Sequence, residues 1–333
     1  MTVEDRMRGP ILASRSVMKN GRLLCAILLA VAPAACGPGD TETGAVRRGD
    51  EAFALGNYEE ALAEYRLALR QGADDPAVTA RVAHTYTLMN RVDDAGAYYV
   101  DATARDPELT DQAVSDLMRL ARHARSSNDR FAMATAVETA LELRPGLGVG
   151  EMSLPLARHY YQNGQYGRAL PFYQKAMADA ADSAPEIVFE VGVAYDEIGD
   201  CANALVYFER FRELVRRWER GEVDWYIGTC SFNLAREVRD RAASGGGDAA
   251  LEEALALVER TIEVQEPRNI QAQAWFEKGE ILSELGRCDE AMDAYAQVRY
   301  ADQAGSLIDR AQDRFDAIRF GRGLEHLRDG RCR

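Results

Sequence analysis

A stripe of three mostly apolar residues at positions i, i+4 and i+7 recurs seven times along the chain. The seven sets are Ala61, Tyr65 and Ala68; Ala95, Tyr99 and Ala102; Met133, Val137 and Ala140; Ala169, Tyr173 and Ala176; Ala204, Phe208 and Phe211; Ala254, Val258 and Thr261; and Ala291, Tyr295 and Val298. Residues at this spacing share one helix face, so each stripe predicts a helix that packs closely on a neighbour. Successive sets begin 34, 38, 36, 35, 50 and 37 residues apart, which indicates stacked repeats.

The half of each unit that precedes the stripe carries a second pattern: a large residue, then an aliphatic residue followed by glycine, then tyrosine. This pattern is clearest in Val188, Val191-Gly192 and Tyr195. A period near 34 residues with these two half-patterns resembles the tetratricopeptide repeat (TPR) family. The resemblance implies an all-α, right-handed TPR superhelix (α-solenoid) of about seven helical hairpins over residues 44–303. It also implies that the first helix of each hairpin lines a concave groove that binds protein partners.

The N-terminal residues predict an export signal. Residues 18–36 read MKNGRLLCAILLAVAPAAC, a short basic region followed by an apolar run and small residues. We therefore expect residues 1–35 to be a signal peptide, with 1–17 a possible mis-called start. The ending resembles a bacterial lipoprotein signal, which implies lipidation of Cys36 and a short tether over 36–43.

The resemblance to lipoproteins also bears on localisation. Gly37, rather than Asp, follows the cysteine, and by similarity to enterobacterial sorting this favours an outer-membrane lipoprotein that faces the periplasm. Pro33 departs from the lipoprotein pattern, in which an aliphatic residue is usual. Two alternatives stay open: an ordinary signal peptide with an incidental cysteine, and a cytoplasmic repeat protein with a chance apolar N-terminus.

Three further segments carry structural expectations. Ser306–Phe320 is amphipathic, and we expect residues 304–333 to form a capping helix and a tail. The composition of residues 242–250 predicts a flexible loop inside the sixth repeat. The second helix of the fifth repeat is expected to run on through residues 209–223.

No motif for catalysis or for cofactor binding is present. The four histidines lack metal-ligand spacing, and the sequence contains no P-loop, G-x-S-x-G or G-x-G-x-x-G. We therefore expect no enzyme activity, no cofactor and no metal. The net charge of −14 makes the chain a poor ligand for nucleic acid.

The four cysteines that follow Cys36 suggest two disulfides, because export places the chain in an oxidising compartment. Cys201 opens the second helix of repeat five, and Cys230 is expected toward the end of the first helix of repeat six. Antiparallel packing would bring these two cysteines together, and Cys332 could fold back on Cys288. The alternative for Cys201 and Cys230 is two buried, reduced side chains.

The geometry implied by the family places a set of side chains toward the groove. They are Phe53, His84, Arg158, Tyr161, Phe189, Trp225, Phe232 and Phe276, with Asp196, Glu197, Glu280 and Glu284 as acidic neighbours. Exposed aromatic residues on such a surface are typical of peptide binding. The alternative is that some of them pack between repeats.

These expectations indicate a non-catalytic, lipid-anchored scaffold or adaptor that binds a protein or peptide partner in the bacterial envelope. Lipid-anchored repeat proteins of this architecture assist outer-membrane β-barrel assembly and pilus-secretin assembly, so the resemblance implies partners of those kinds. The alternative function is a regulatory or accessory subunit of a cell-envelope enzyme.

Overall fold

The computed structural model describes residues 42–179, 184–302, 305–320 and Cys332. Within these residues every regular element is a helix. The predicted signal peptide, the lipidation site Cys36 and most of the predicted tether lie outside the described residues. Among the described helices, none is both long enough and apolar enough to span a lipid bilayer.

Fourteen helices form seven consecutive hairpins, and a fifteenth follows them. The hairpins are α1 (Glu42–Ala54) with α2 (Tyr58–Arg70), α3 (Pro76–Leu88) with α4 (Val92–Arg105), α5 (Thr110–Ser126) with α6 (Arg130–Leu143), α7 (Ser153–Gln162) with α8 (Tyr166–Asp179), α9 (Pro185–Glu197) with α10 (Cys201–Leu214), α11 (Gly221–Arg241) with α12 (Gly247–Val264), and α13 (Gln271–Glu284) with α14 (Cys288–Ala301); α15 is Ile308–Phe320. The fold is the all-α TPR solenoid that the repeats predict.

The turn inside six of the hairpins contains one residue with a positive φ angle. This residue is Gly56, Gly164, Gly199 or Gly286 in four hairpins and Asn90 or Asn128 in the other two. Glycine adopts a positive φ without steric penalty, and asparagine tolerates it better than most residues. The turn therefore ends one helix and starts the next at the same point of each repeat.

The stripes form the core of the solenoid. Tyr65, Tyr99, Tyr173, Phe208 and Tyr295 are all buried. In three hairpins the stripe aromatic lies on a glycine of the first helix. A Cβ atom would come within 2.6 Å of the ring at Gly49 and Gly192, and within 2.5 Å at Gly279. Glycine at this position lets the two helices of a hairpin approach closely.

The sixth hairpin differs from the expectation. The expected loop over residues 242–250 is a shorter turn over 242–247, in which Gly245 (φ 123°) and Gly247 (φ 62°) leave the helical conformation, and residues 248–250 belong to α12. The additional residues instead lengthen α11 to 21 residues and α12 to 18. The second helix of repeat five is also shorter than expected, since α10 ends at Leu214.

The C-terminal helix caps the last hairpin, as a repeat array requires. Ala311 and Ile318 of α15 are buried, and Arg314 pairs with Glu280 of α13 at 2.9 Å. Cys332 is disulfide-bonded to Cys288 at the start of α14, with a Cα–Cα distance of 5.3 Å. The expected Cys288–Cys332 pairing is therefore present in the structure.

Candidate protein-binding face

The first helices of successive hairpins are joined to one another by ion pairs, and we call this side of the solenoid the first-helix face. Between first helices the ion pairs are Asp50–Arg81 (3.4 Å), Glu190–Arg158 (3.0 Å) and Glu277–Arg239 (2.6 Å), and Asp116 contacts His84 at 2.6 Å, which is an ion pair when the imidazole is protonated. Two related pairs are Arg125 of α5 with Glu151 in the turn before α7 (3.0 Å) and Glu280 of α13 with Arg314 of α15 (2.9 Å). Each of these carboxylates thus has a basic partner within the protein.

The stripe tyrosines reach the same carboxylates from the second helices. Tyr65 donates to Asp50 at 2.7 Å, and Tyr173 donates to Glu190 at 2.8 Å. Tyr295 donates to Glu280 at 2.8 Å, and Tyr99 donates to Asp116. Burial and the neighbouring carboxylate raise the pKa of each of these phenols well above its usual range. They stay protonated and act as permanent hydrogen-bond donors.

Three of the predicted groove residues belong to these contacts. His84 and Arg158 are the basic partners of Asp116 and Glu190. Phe53 is half-buried, and its ring centroid lies 5.4 Å from that of His84. The structure therefore places all three on the first-helix face, but in contacts between repeats.

Three other predicted residues pack in the interior. Phe232 and Phe276 are only 7% and 8% exposed and belong to the core around the last hairpins. Phe189 is half-buried between two second-helix side chains and Tyr226. The expectation of exposed side chains is wrong for Phe232 and Phe276, because the phase of their helices turns them inward.

The two remaining predicted residues, Tyr161 and Trp225, lie near the middle of the solenoid. Trp225 is 45% exposed, and its ring meets that of Tyr226 at 5.2 Å in an edge-on arrangement. Tyr161 meets Tyr166 in the same way at 5.4 Å. We define the central patch by these four aromatic residues and two neighbouring acidic ones: Tyr161, Tyr166, Trp225, Tyr226, Glu197 and Glu222.

The central patch is negatively charged. Burial raises the pKa of Tyr161 to about 12, and Glu190 and Glu197 add to the effect. Burial also raises the pKa of Tyr226, with contributions from carboxylates that include Glu222 and Glu197. Both glutamates are exposed, and neither forms an ion pair in the part of the chain that the structure describes. The patch thus combines aromatic surface with uncompensated negative charge.

Cys201 and Cys230 are close together and reduced in the structure. Both are free thiols, and Cys230 is fully buried in the middle of α11 rather than near its end. Their sulfur atoms and one carboxylate oxygen of Asp196 all lie within 4.8 Å of one another. The juxtaposition of the two cysteines is as expected, and the disulfide between them stays a prediction.

Sequence reasoning did not find several members of these sites. Tyr166, Tyr226 and Glu222 were not singled out, although Tyr226 is adjacent to Trp225. Asp196 was expected near the groove but not beside the cysteines. One signal was available, because Asp196 and Cys201 flank a short turn that folds the chain back on itself. Their contact with Cys230 depends on how two hairpins stack, which local sequence does not specify.

Comparisons with known families agree with the repeats. One family model described as tetratricopeptide repeat matches residues 154–216 and 236–313, and another with the same description matches 45–71. Together the two models cover just over half of the chain. A search of curated proteins returned no significant match.

Several solved structures are similar to this chain. A thermophilic TPR protein of Thermus thermophilus is 22% identical over 52% of this chain and 91% of its own, with a TM-score of 0.24. YrrB, described as a TPR protein with an unusual peptide-binding site, is 19% identical over 65% and 97%, with a TM-score of 0.32. The TPR domain of P58(IPK) is 16% identical over 87% and 95%, with a TM-score of 0.30.

The family models and the fold both identify this chain by its repeats. All seven hairpins carry the stripe, six carry one positive-φ residue in the turn, and three carry the glycine contact, each at the same point of the repeat. The chain is a tetratricopeptide repeat protein.

Proposed function

We propose that this protein is a non-catalytic, lipid-anchored TPR adaptor of the bacterial envelope that binds a protein partner along its first-helix face. The observation that carries the proposal is the central patch. At the junctions Asp50–Arg81, Asp116–His84 and Glu190–Arg158 of this face, the carboxylate has a basic partner. In the patch, the exposed Trp225 contacts Tyr226, whose pKa is raised in part by two glutamates that have no ion pair among the described residues.

The chemistry of the patch selects one kind of partner, an extended protein segment that carries arginine or lysine beside apolar side chains. A cation can pair with Glu197 or Glu222 and also lie on the face of Trp225, since indole rings attract cations. The net charge of −14 favours the approach of such a segment over long range.

Export and anchoring are supported by two observations. The segment that ends at Cys36 has the form of a lipoprotein signal. The Cys288–Cys332 disulfide in the structure is the kind of bond that persists in an oxidising compartment. An anchor at Cys36 would place α1, which begins at Glu42, close to the membrane surface.

Fractionation of cells that produce the wild-type protein or Cys36→Ala tests the anchor. We expect the wild type in the membrane fraction and Cys36→Ala in the soluble fraction of the envelope. A wild-type protein found in the cytoplasm would contradict the proposal. Pull-down of both forms then separates two functions: a barrel or secretin subunit supports the assembly adaptor, and an enzyme supports the alternative of an accessory subunit.

A further inference from the structure

The junction between α9 and α11 differs from the other junctions of the first-helix face. At those junctions a carboxylate meets arginine or histidine. Here the carboxylate of Asp196 meets two thiols, with Oδ1 at 3.1 Å from the sulfur of Cys230 and 4.0 Å from that of Cys201. No basic side chain pairs with Asp196 among the described residues.

The three donor atoms have the spacing of a metal site. They lie within 4.8 Å of one another. A tetrahedral zinc ion has Zn–S distances of about 2.3 Å and Zn–O distances of about 2.0–2.2 Å, so its ligand atoms lie roughly 3.5–3.8 Å apart. The two sulfur–oxygen distances of 3.1 and 4.0 Å fall on either side of this range. Small side-chain rotations would bring all three atoms onto one ion.

We propose that Asp196, Cys201 and Cys230 bind one Zn²⁺ ion, with water as the fourth ligand. Two sulfur ligands and one carboxylate suit zinc better than magnesium or calcium, which prefer oxygen ligands alone. On binding, each thiol releases one proton to solvent, and the two thiolates form bonds to the metal. The two thiolates balance the charge of the ion, so the ion would join α9, α10 and α11 through coordination bonds, where arginine or histidine joins the other junctions through charge. The proposal replaces the expectation of a chain without a metal site.

Zinc accounts for the position of Asp196 better than a disulfide does. Oxidation of Cys201 and Cys230 would remove both S–H groups that face the carboxylate. The half-buried carboxylate would then face two sulfur atoms that cannot donate a hydrogen bond, which is unfavourable. A bound cation satisfies the carboxylate and both sulfur atoms together.

The ion would connect hairpins five and six. Asp196 and Cys201 belong to α9 and α10, and Cys230 belongs to α11. Helix α11 also carries Trp225 and Tyr226, so the metal would fix the orientation of half of the central patch. This inference does not depend on the proposed function, because zinc can be measured without a partner.

Metal analysis of the purified protein tests the proposal. Zinc per chain is measured by mass spectrometry after incubation with Zn²⁺ and dialysis, for the wild type, Cys230→Ser, Asp196→Asn and Cys288→Ser. We expect one zinc per chain in the wild type and in Cys288→Ser, which alters a cysteine outside the site. We expect loss of that zinc in Cys230→Ser and in Asp196→Asn.

A second cysteine variant and a cobalt absorption measurement complete the test. If Cys230→Ser does not fold, as judged by circular dichroism, the half-buried Cys201→Ser takes its place. Cobalt is added to the apo-protein, and an absorption band from thiolate-to-cobalt charge transfer in the wild type only would support the site. Retention of zinc by the cysteine variants, absence of zinc from the wild type, or a Cys201–Cys230 disulfide in the isolated protein would each overturn the proposal.

Discussion

At the scale of single residues, one carboxylate on the first-helix face often joins three structural elements. Asp116 of α5 accepts hydrogen bonds from His84 of α3 and Tyr99 of α4, and also from Arg119 of its own helix. It is 6% exposed, so the three donors replace nearly all of its water. A carboxylate in this setting holds two repeats together only while it is ionised.

Replacement of Asp116 by asparagine should therefore destabilise the solenoid. We expect a loss of about 1.5–3 kcal/mol in the free energy of unfolding, because a charged acceptor with several donors is removed. Asp50→Asn is the matched control, since Asp50 also accepts from a stripe tyrosine but is exposed. Its loss should be below about 1 kcal/mol. If Asp116→Asn and Asp50→Asn lose the same free energy of unfolding in chemical denaturation, burial does not determine how much the carboxylate stabilises the protein.

The loss in the free energy of unfolding caused by Asp116→Asn should also depend on pH. Burial raises the pKa of Asp116, but the hydrogen bonds from His84 and Tyr99 and the nearby positive charges outweigh it and hold the pKa below the ordinary value of 3.8. The stabilising contribution is therefore fully present above about pH 5 and declines as the pH falls through the folded-state pKa. The difference in stability between wild type and Asp116→Asn should shrink below about pH 4. A constant difference between pH 7 and pH 3 would contradict this account.

At the scale of the hairpin, close packing depends on glycine beneath the stripe aromatic. A Cβ atom at Gly192 would lie 2.6 Å from the ring of Phe208. We expect Gly192→Ala to destabilise the protein by about 1–3 kcal/mol, because overpacking forces the ring or the backbone to move. Thermal unfolding monitored by circular dichroism measures the effect.

Gly167→Ala provides the control for helix propensity. Gly167 lies in α8, and a Cβ atom there has nothing within 4 Å. Because Gly167 is the second residue of α8, alanine there should be neutral or should stabilise the helix by less than the ~1 kcal/mol typical of a helix interior. A stabilised Gly192→Ala variant would show that the two helices of the hairpin are less tightly packed than the structure indicates.

The disulfide that holds the capping helix also acts within the last hairpin and its cap. The disulfide joins residues 44 positions apart and encloses all of α15, and closing a loop of that length stabilises by up to about 4 kcal/mol in the chain-entropy model. Because each repeat contacts mainly its neighbours, the effect should stay local. We expect Cys332→Ser to increase hydrogen exchange in α14 and α15 and to leave α1–α4 unchanged. A uniform increase along the chain would show instead that the array unfolds as one unit.

At the scale of the whole molecule, the repeat pattern was sufficient to predict the architecture. The spacing of the stripes and the turn glycines specify seven hairpins, because each acts locally within one unit. The Gly-rich segment of the sixth hairpin was predicted as a loop, but its length was not, because packing between α11 and α12 extends these helices to 21 and 18 residues.

The binding face was predicted less well, for a physical reason. One helical residue corresponds to a rotation of about 100°, so a small error in phase turns an exposed side chain into a buried one. Phe232 and Phe276 were placed on the groove and are core residues, whereas Trp225 is exposed. The ion pairs between repeats depend on residues about 30 positions apart and have no local signature.

We propose that a partner binds along the first-helix face at the central patch. The most direct test of this proposal is site-specific crosslinking in living cells, with a photoreactive amino acid in place of Trp225. The control places the same amino acid at Val206 of α10, which is 64% exposed and lies on a second helix. We expect a discrete crosslinked product from position 225, none from position 206, and loss of the product when Glu197→Lys and Glu222→Lys are added. Equal crosslinking from both positions, or a product from position 206 alone, would contradict the account.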